Sequence, residues 1–253
     1  MTATIALTQR AIREALRTPD ALVPMLFIPL FFLVVNVGQA ARIFPSSSTE
    51  FLNGQGYGAF QLPASILLAA SFGSAALYLV EEIEGGYFDK LRATPTSRTS
   101  IVFGRLLAEA LKTIVLSVIM VVIAWIFFDI HVASGPLGFV LLLVLAAAWA
   151  VAFSGFMQLI AITSRSAAAT QAGGMVFFPL LFLTPNFVPR DMLTRPMEVA
   201  ATFNPVTYLM EAMRSLILDD AFDWAVLGKG FAVVAGALAL MVALSVRLIR
   251  RYD

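Results

Sequence analysis

The sequence predicts an all-α integral membrane protein with six transmembrane helices, and three observations predict it. Hydrophobic residues fill 60% of the 253 positions and charged residues only 13%, about half the charged share of a soluble domain. Apolar runs recur at about the 20-residue length that a helix needs to cross the hydrocarbon layer. The alternation of a membrane barrel is absent, so helices, which satisfy their own backbone groups, are the economical way to place these runs in lipid.

The expected spans follow in order. The first covers about 22–41 and carries Pro24, Pro29 and Asn36; the second covers about 60–80, with Pro63 in its first turn and small residues in its second half. The third, about 106–128, opens on Arg105, Glu109 and Lys112 and then runs apolar to Phe128. A fourth covers about 137–162. The fifth, about 167–185, is rich in small residues at its start and aromatic later, and the sixth covers about 226–246.

Lys and Arg in the flanks set the orientation. One side receives Arg10, Arg13, Arg17, Lys90, Arg92, Arg98, Arg105, Lys112, Arg165, Arg247, Arg250 and Arg251; the other has Arg42, Arg190, Arg195 and Arg214, with Lys229 near the membrane edge. Positive residues concentrate on the cytoplasmic side, so both termini are expected inside.

Three segments do not span. Residues 4–17 read as an interfacial helix: Ile5, Ile12 and Leu16 fall within about 40° of one another on a helical wheel, with Arg10, Arg13 and Arg17 on another flank and Leu7 off the stripe. Residues 81–105 form a cytoplasmic connection broken by Gly85–Gly86 and Pro95, with Tyr87, Phe88 and Leu91 able to share one face of a short helix. Its mixture of acids, glycines, aromatics and bases reads as a docking surface for a partner, with a solvated interfacial loop as the alternative. Residues 186–225 lie outside, interrupted by Pro189, Pro196 and Pro205. There, 206–218 reads as a short amphipathic helix with Leu209, Met213, Leu216 and Ile217 near one face and Glu211 and Arg214 elsewhere.

Composition also excludes chemistry. With no cysteine and a single histidine, His131, there is no disulfide, no thiolate site and no paired-imidazole metal site. Gly228-Lys229-Gly230 lacks the spacing and the hydroxyl residue of a phosphate loop. The middles of the spans hold neutral polar groups only, among them Asn36, Ser65, Ser71, Ser117, Ser154, Gln158, Thr170 and Gln171, which read first as helix–helix hydrogen-bonding groups. Glu81, Glu82 and Glu84 lack a partner base, and Asp219, Asp220 and Asp223 read as a solvated helix end or a weak cation site. No catalytic residue and no metal site is expected. A chain with neither a nucleotide site nor coupling carboxylates is a passive pore, a scaffold, or the membrane half of an assembly powered by another chain.

The 81–105 segment carries a resemblance. Glu82-x-Glu84-x-Gly86, then Leu91-Arg92-x-x-Pro95-x-x-Arg98 and Gly104-Arg105, resembles the cytoplasmic signature of type-2 ABC exporter permeases of the daunorubicin-resistance-like group. The stretch Asn204-Pro205-x-Thr207-Tyr208-x-x-Glu211-x-x-Arg214 looks like that family's segment before the last span. Tyr87 departs from the pattern, where a small hydroxyl residue is expected.

The resemblance implies a single transmembrane domain over 1–253. In it 4–17 is an elbow helix, 81–98 a coupling helix seated on a separate ATPase, and 186–218 external re-entrant helices. Glu81, Glu82, Glu84, Gly85 and Gly86 would form the elbow of the coupling segment, and Tyr87, Phe88, Leu91, Arg92, Pro95 and Arg98 its contact. It further implies two ATPase subunits, which hold ATP and Mg, a second permease subunit, and a bacterial cytoplasmic (inner) membrane. No cofactor on this chain and no nucleic-acid partner are expected. Cargo would be a hydrophobic or amphipathic drug, antibiotic or lipid moved outward along Phe72, Tyr78, Phe153, Phe156, Met157, Phe177 and Phe178, with Met175 and Phe182 adding adaptable surface. Each of these residues also reads as packing or lipid-facing surface. A polysaccharide or glycolipid exporter and a non-transport scaffold or pore are the alternatives.

Overall fold

The structure, a computed structural model, describes residues 2–17, 19–72, 76, 78–80, 85 and 98–251. Secondary structure among the described residues is helical throughout: α1 (Thr2–Arg17), α2 (Pro19–Ala40), α3 (Tyr57–Ser71), α4 (Arg98–Phe128), α5 (Gly135–Ser164), α6 (Ala167–Gly174), α7 (Phe177–Phe182), α8 (Arg195–Phe203), α9 (Pro205–Leu218) and α10 (Trp224–Arg251). Single 3-10 turns sit at Glu50–Leu52 and Arg190–Met192.

Four helices are long and apolar enough to cross a membrane, over Val23–Ala40, Phe103–Phe128, Gly135–Ser164 and Trp224–Met241. They correspond to the expected first, third, fourth and sixth spans. α4 begins earlier than expected and reaches about 46 Å at 1.5 Å per residue, well beyond a hydrocarbon layer of roughly 30 Å. Arg105, Glu109 and Lys112 therefore lie inside a continuous helix. At the expected second span, α3 ends at Ser71 and helix is described again at 76 and 78–80.

The expected fifth span is broken into α6 and α7, with Met175 and Val176 in 3-10-type bonds to Ala172 O and Gly173 O between them. Gly173 and Gly174 weaken the end of α6, and Pro179 offers no N–H to continue a ladder across the gap.

α3 is the axis of the core. All fifteen of its residues are buried, and α2, α4, α5 and α9 pack around it. Its small residues, Ala59, Ala64, Ala69 and Ala70, admit close neighbours, while Leu62, Ile66 and Leu67 fill the space between them. α5 lies beside it with Leu142, Leu145, Ala146 and Trp149 buried. The outward faces are apolar and exposed, including Phe27, Phe31 and Val34 on α2 and Leu111, Val115, Val122 and Trp125 on α4. Surfaces of this kind suit lipid rather than water.

α1 packs against the start of α4 through a face other than the expected interfacial stripe. Ile5 is half exposed, whereas Leu7 sits at Gly104: a methyl group added there would lie 2.8 Å from Leu7 Cβ. Thr8 Oγ1 has Thr4 O at 2.9 Å and Gly104 O at 3.0 Å as acceptors for its one proton, while Arg13 and Arg17 are exposed. The missing side chain of Gly104, invisible to a reading of α1 alone, selects the contact face.

Candidate functional site

Two regions bring the sequence's marked residues together. The outer one is built on α9. Asn204 caps this helix by accepting from Val206 N at 3.0 Å and ties it to α7 by donating from Nδ2 to Leu180 O at 2.6 Å, with Pro205 at the first helical position, where no N–H is required. Tyr208 donates its hydroxyl proton to Thr202 O at 2.7 Å. Glu211 receives a two-point bond from Arg190, Nε and Nη2 each at 3.0 Å, and that guanidinium lies 5.2 Å from the Tyr208 ring centroid.

Arg214 is buried, which corrects the expectation that it lies off the packed face of α9. Its Nε donates to Phe60 O and its Nη2 to Asn186 O, both at 3.0 Å, and its Nη1 donates to Pro185 O. The charge lies over Phe60, with Cζ 3.5 Å from the ring centroid. A planar five-donor fork facing three carbonyls and one π-face is a satisfied buried cation. Gln61 extends the network through Nε2 to Tyr57 Oη and Asn186 O, at 2.7 and 2.9 Å, and accepts from Asn36 Nδ2 at 3.3 Å. Tyr57 Oη donates to Phe187 O at 2.7 Å. Thus α2, α3, the 185–187 turn and α9 share one polar cluster.

The far end of α9 is held just as firmly. The last carbonyls of a helix have no partner within it; here Leu216 O accepts from Ser134 Oγ at 2.6 Å, Ile217 O from Gln55 Nε2 at 2.7 Å, and Leu218 O from Asn53 Nδ2 at 3.2 Å. Asn53 also donates to Asp219 Oδ1 at 2.7 Å. Burial pushes the Asp219 carboxyl above its usual range; the Asn53 bond opposes the shift, and Asp223 and Asp220 add to it. No cluster suited to a metal occurs among the described residues.

The second region is a cavity of about 190 Å³ at the break between α6 and α7. Of the residues expected along a cargo path, Phe72, Met157, Phe177 and Phe178 line it. Phe153 packs behind Phe177 with ring centroids 5.6 Å apart, and Phe156 lies behind Phe153 at 6.0 Å. Tyr78 is not among the lining residues. Leu68 and Gly174, unmarked in the sequence, complete the wall together with Ser71, Gln171 and Met175.

Trp149 was also unmarked. Its Nε1 donates to Ser71 Oγ at 2.9 Å, Ser71 Oγ donates to Leu67 O at 2.8 Å, and its indole lies 6.1 Å from the Phe177 ring. No titratable group lines the cavity among the described residues, so these side chains suit holding an apolar guest rather than transforming it.

At the start of α4, Glu109 is buried and pairs with Lys112 Nζ at 2.6 Å, with Arg105 buried one turn earlier. Glu81, Glu82, Glu84, Gly86, Tyr87, Phe88, Leu91, Arg92 and Pro95 lie outside the described residues. Gly85 occupies an exposed turn, and Arg98 is the first residue of α4.

Known proteins bear on both regions. The daunorubicin resistance ABC transporter permease protein DrrB1 of Streptomyces coeruleorubidus is 26% identical over 257 residues, spanning 99% of this chain and 87% of the relative. Residues 2–218, from α1 through the end of α9, match the family model of the ABC-2 type transporter, and the chain belongs to that family.

Proposed function

We propose that this chain is the permease subunit of an ATP-driven exporter of hydrophobic or amphipathic small molecules, powered by a separate nucleotide-binding subunit. The observation that carries this reading is the family match across residues 2–218; the relative named for daunorubicin resistance supports the drug-like class of cargo. The apolar, uncharged cavity favours such cargo over a polysaccharide, whose many hydroxyls would need hydrogen-bonding partners.

In this reading one domain fills 1–253 and six spans cross a bacterial inner membrane with both termini cytoplasmic. The four long helices are joined by the expected second span, over about 60–80, and by the broken pair α6–α7. α1 is an elbow helix with Arg10, Arg13 and Arg17 toward anionic headgroups, and 186–218 form the external re-entrant segment. The 81–98 segment seats on the ATPase. Glu81, Glu82, Glu84, Gly85 and Gly86 turn the chain there, and Tyr87, Phe88, Leu91, Arg92, Pro95 and Arg98 make the contact. Two ATPase copies hold ATP and Mg, a second permease completes the pathway, and closure of the ATPase pair moves the lever between two packings of the bundle.

The experiment is cargo-stimulated ATP hydrolysis by the assembled complex. Glu82→Ala and Arg92→Ala are expected to lower stimulation while membrane insertion is retained. Unchanged stimulation, or solute conduction without nucleotide, would overturn the reading.

A further inference from the structure

One polar side chain at the cavity is uncommitted. Gln171 lines it from α6, is exposed, and has no hydrogen-bond partner among the described residues. The other polar groups nearby are engaged: Ser71 Oγ is both donor and acceptor, and Thr170 Oγ1 donates to Ser166 O at 2.9 Å. Gln171 sits within the apolar segment Ala167–Phe182, which the six-span reading places in lipid, and an unpaired amide there would cost roughly 1–3 kcal/mol. A partner from outside the subunit would remove that cost.

The rest of the cavity says what kind of partner fits. Phe72, Phe177 and Phe178 offer ring faces and edges, and Met157 and Met175 offer adaptable thioethers. The volume of about 190 Å³ exceeds the roughly 150 Å³ that holds benzene. It falls below the roughly 300 Å³ at which sites enclose whole drug-sized ligands. One or two fused rings fill it, and the remainder of a larger molecule projects past Met175, which is 62% exposed at the mouth. With no charged residue among the described residues of the wall, these side chains suit a guest that needs no counter-ion.

We propose that Gln171 is a specificity-determining residue: it pairs with a hydroxyl or carbonyl borne on an uncharged aromatic ring system seated among Phe72, Phe177 and Met157. A hydroxyl donates to Gln171 Oε1 and a carbonyl accepts from Nε2. This assignment rests on the export reading for the fate of the cargo, but binding itself needs no ATPase.

The test is equilibrium dialysis of 2-naphthol and of naphthalene against the full chain in lipid nanodiscs, with uptake by empty discs subtracted. One good hydrogen bond corresponds to about a three- to tenfold change in affinity. The preference for 2-naphthol over naphthalene is therefore expected to be larger by about that factor in the unaltered chain than in Gln171→Met. Gln171→Asn, which keeps an amide, should retain part of the preference. Should Gln171→Met not insert, Gln171→Leu supplies the same comparison.

Equal preference in the unaltered chain and Gln171→Met overturns the assignment. So does a loss of self-association in Gln171→Met with the preference unchanged, which would place the amide in a contact between copies. Absence of saturable binding of either probe overturns it as well. Stimulated hydrolysis in the Glu82 and Arg92 variants does not involve Gln171, so failure of the two readings remains separable.

Discussion

Arg214 and Phe60 are joined twice: the guanidinium lies 3.5 Å from the Phe60 ring centroid, and its Nε donates to the Phe60 carbonyl. The contact fixes α9 to the core helix α3 from the side chain and the backbone at once. Loss of the fork takes a donor from the buried carbonyls of Phe60, Pro185 and Asn186, of which Asn186 O keeps Gln61 Nε2. Arg214→Ala is expected to destabilise the protein by about 3 kcal/mol or more, read as a lower Tm in detergent. Arg214→Lys keeps the charge but not the planar fork and should recover only part of the loss. Full recovery by lysine would show that charge alone matters.

The elbow contact gives a second expectation. A Cβ at Gly104 meets Leu7 Cβ at 2.8 Å and Thr4 O at 3.3 Å, both on α1. Gly104→Ala should therefore push α1 off α4 and cost about 1–3 kcal/mol. Thr8→Val, which removes the hydroxyl shared between Thr4 O and Gly104 O, should cost about 1 kcal/mol. Protease accessibility of α1 and Tm would check both, and an alanine at 104 that left them unchanged would refute the packing argument.

Asp219 supplies a pH dependence with a definite sign. Its folded carboxyl binds protons more readily than the ordinary value of 3.8 implies. The associated stability is fully present below that ordinary value and is lost as pH rises through the raised folded value. Asp219→Asn still offers an oxygen to Asn53 Nδ2, so it should abolish this slope and be at least as stable as the unaltered chain near neutrality. Urea midpoints measured from acid to neutral pH decide it.

Gly174 keeps the cavity open. A Cβ there would stand 3.1 Å from Met157 Cε, the flexible end of a side chain that has to move into the guest's space. Gly174→Val is expected to raise the concentration of cargo needed for half-maximal ATPase stimulation by about tenfold, the equivalent of roughly 1.4 kcal/mol of lost binding. An unchanged concentration dependence would place cargo elsewhere.

Much of the bundle was legible because long apolar runs report hydrophobic transfer directly, and four of the six expected spans are the four long helices. The break between α6 and α7 was partly written in Gly173, Gly174 and Pro179, but a hydropathy run smooths over it. The outer motif was legible as a set of residues and misread in one orientation. Arg214 belongs to the buried side because three carbonyls from distant parts of the chain meet its fork. Nothing in the local spacing of α9 records those carbonyls.

Trp149, Leu68 and Gly174 escaped notice for the same reason. An aromatic, an aliphatic residue and a glycine in apolar runs look like ordinary packing until a helix break opens space beside them.

By itself, the sequence determined the solvent of this protein, the places of its four long helices and its resemblance to its family, since these depend on local composition and short spacings. The tertiary structure alone decided which face of α1 meets α4, that Arg214 is a buried tie, and that Gln171, unpaired among the described residues, stands beside an aromatic cavity. Those outcomes depend on carbonyls, notches and gaps contributed by segments far apart in the chain, whose meeting is set by how the whole bundle packs.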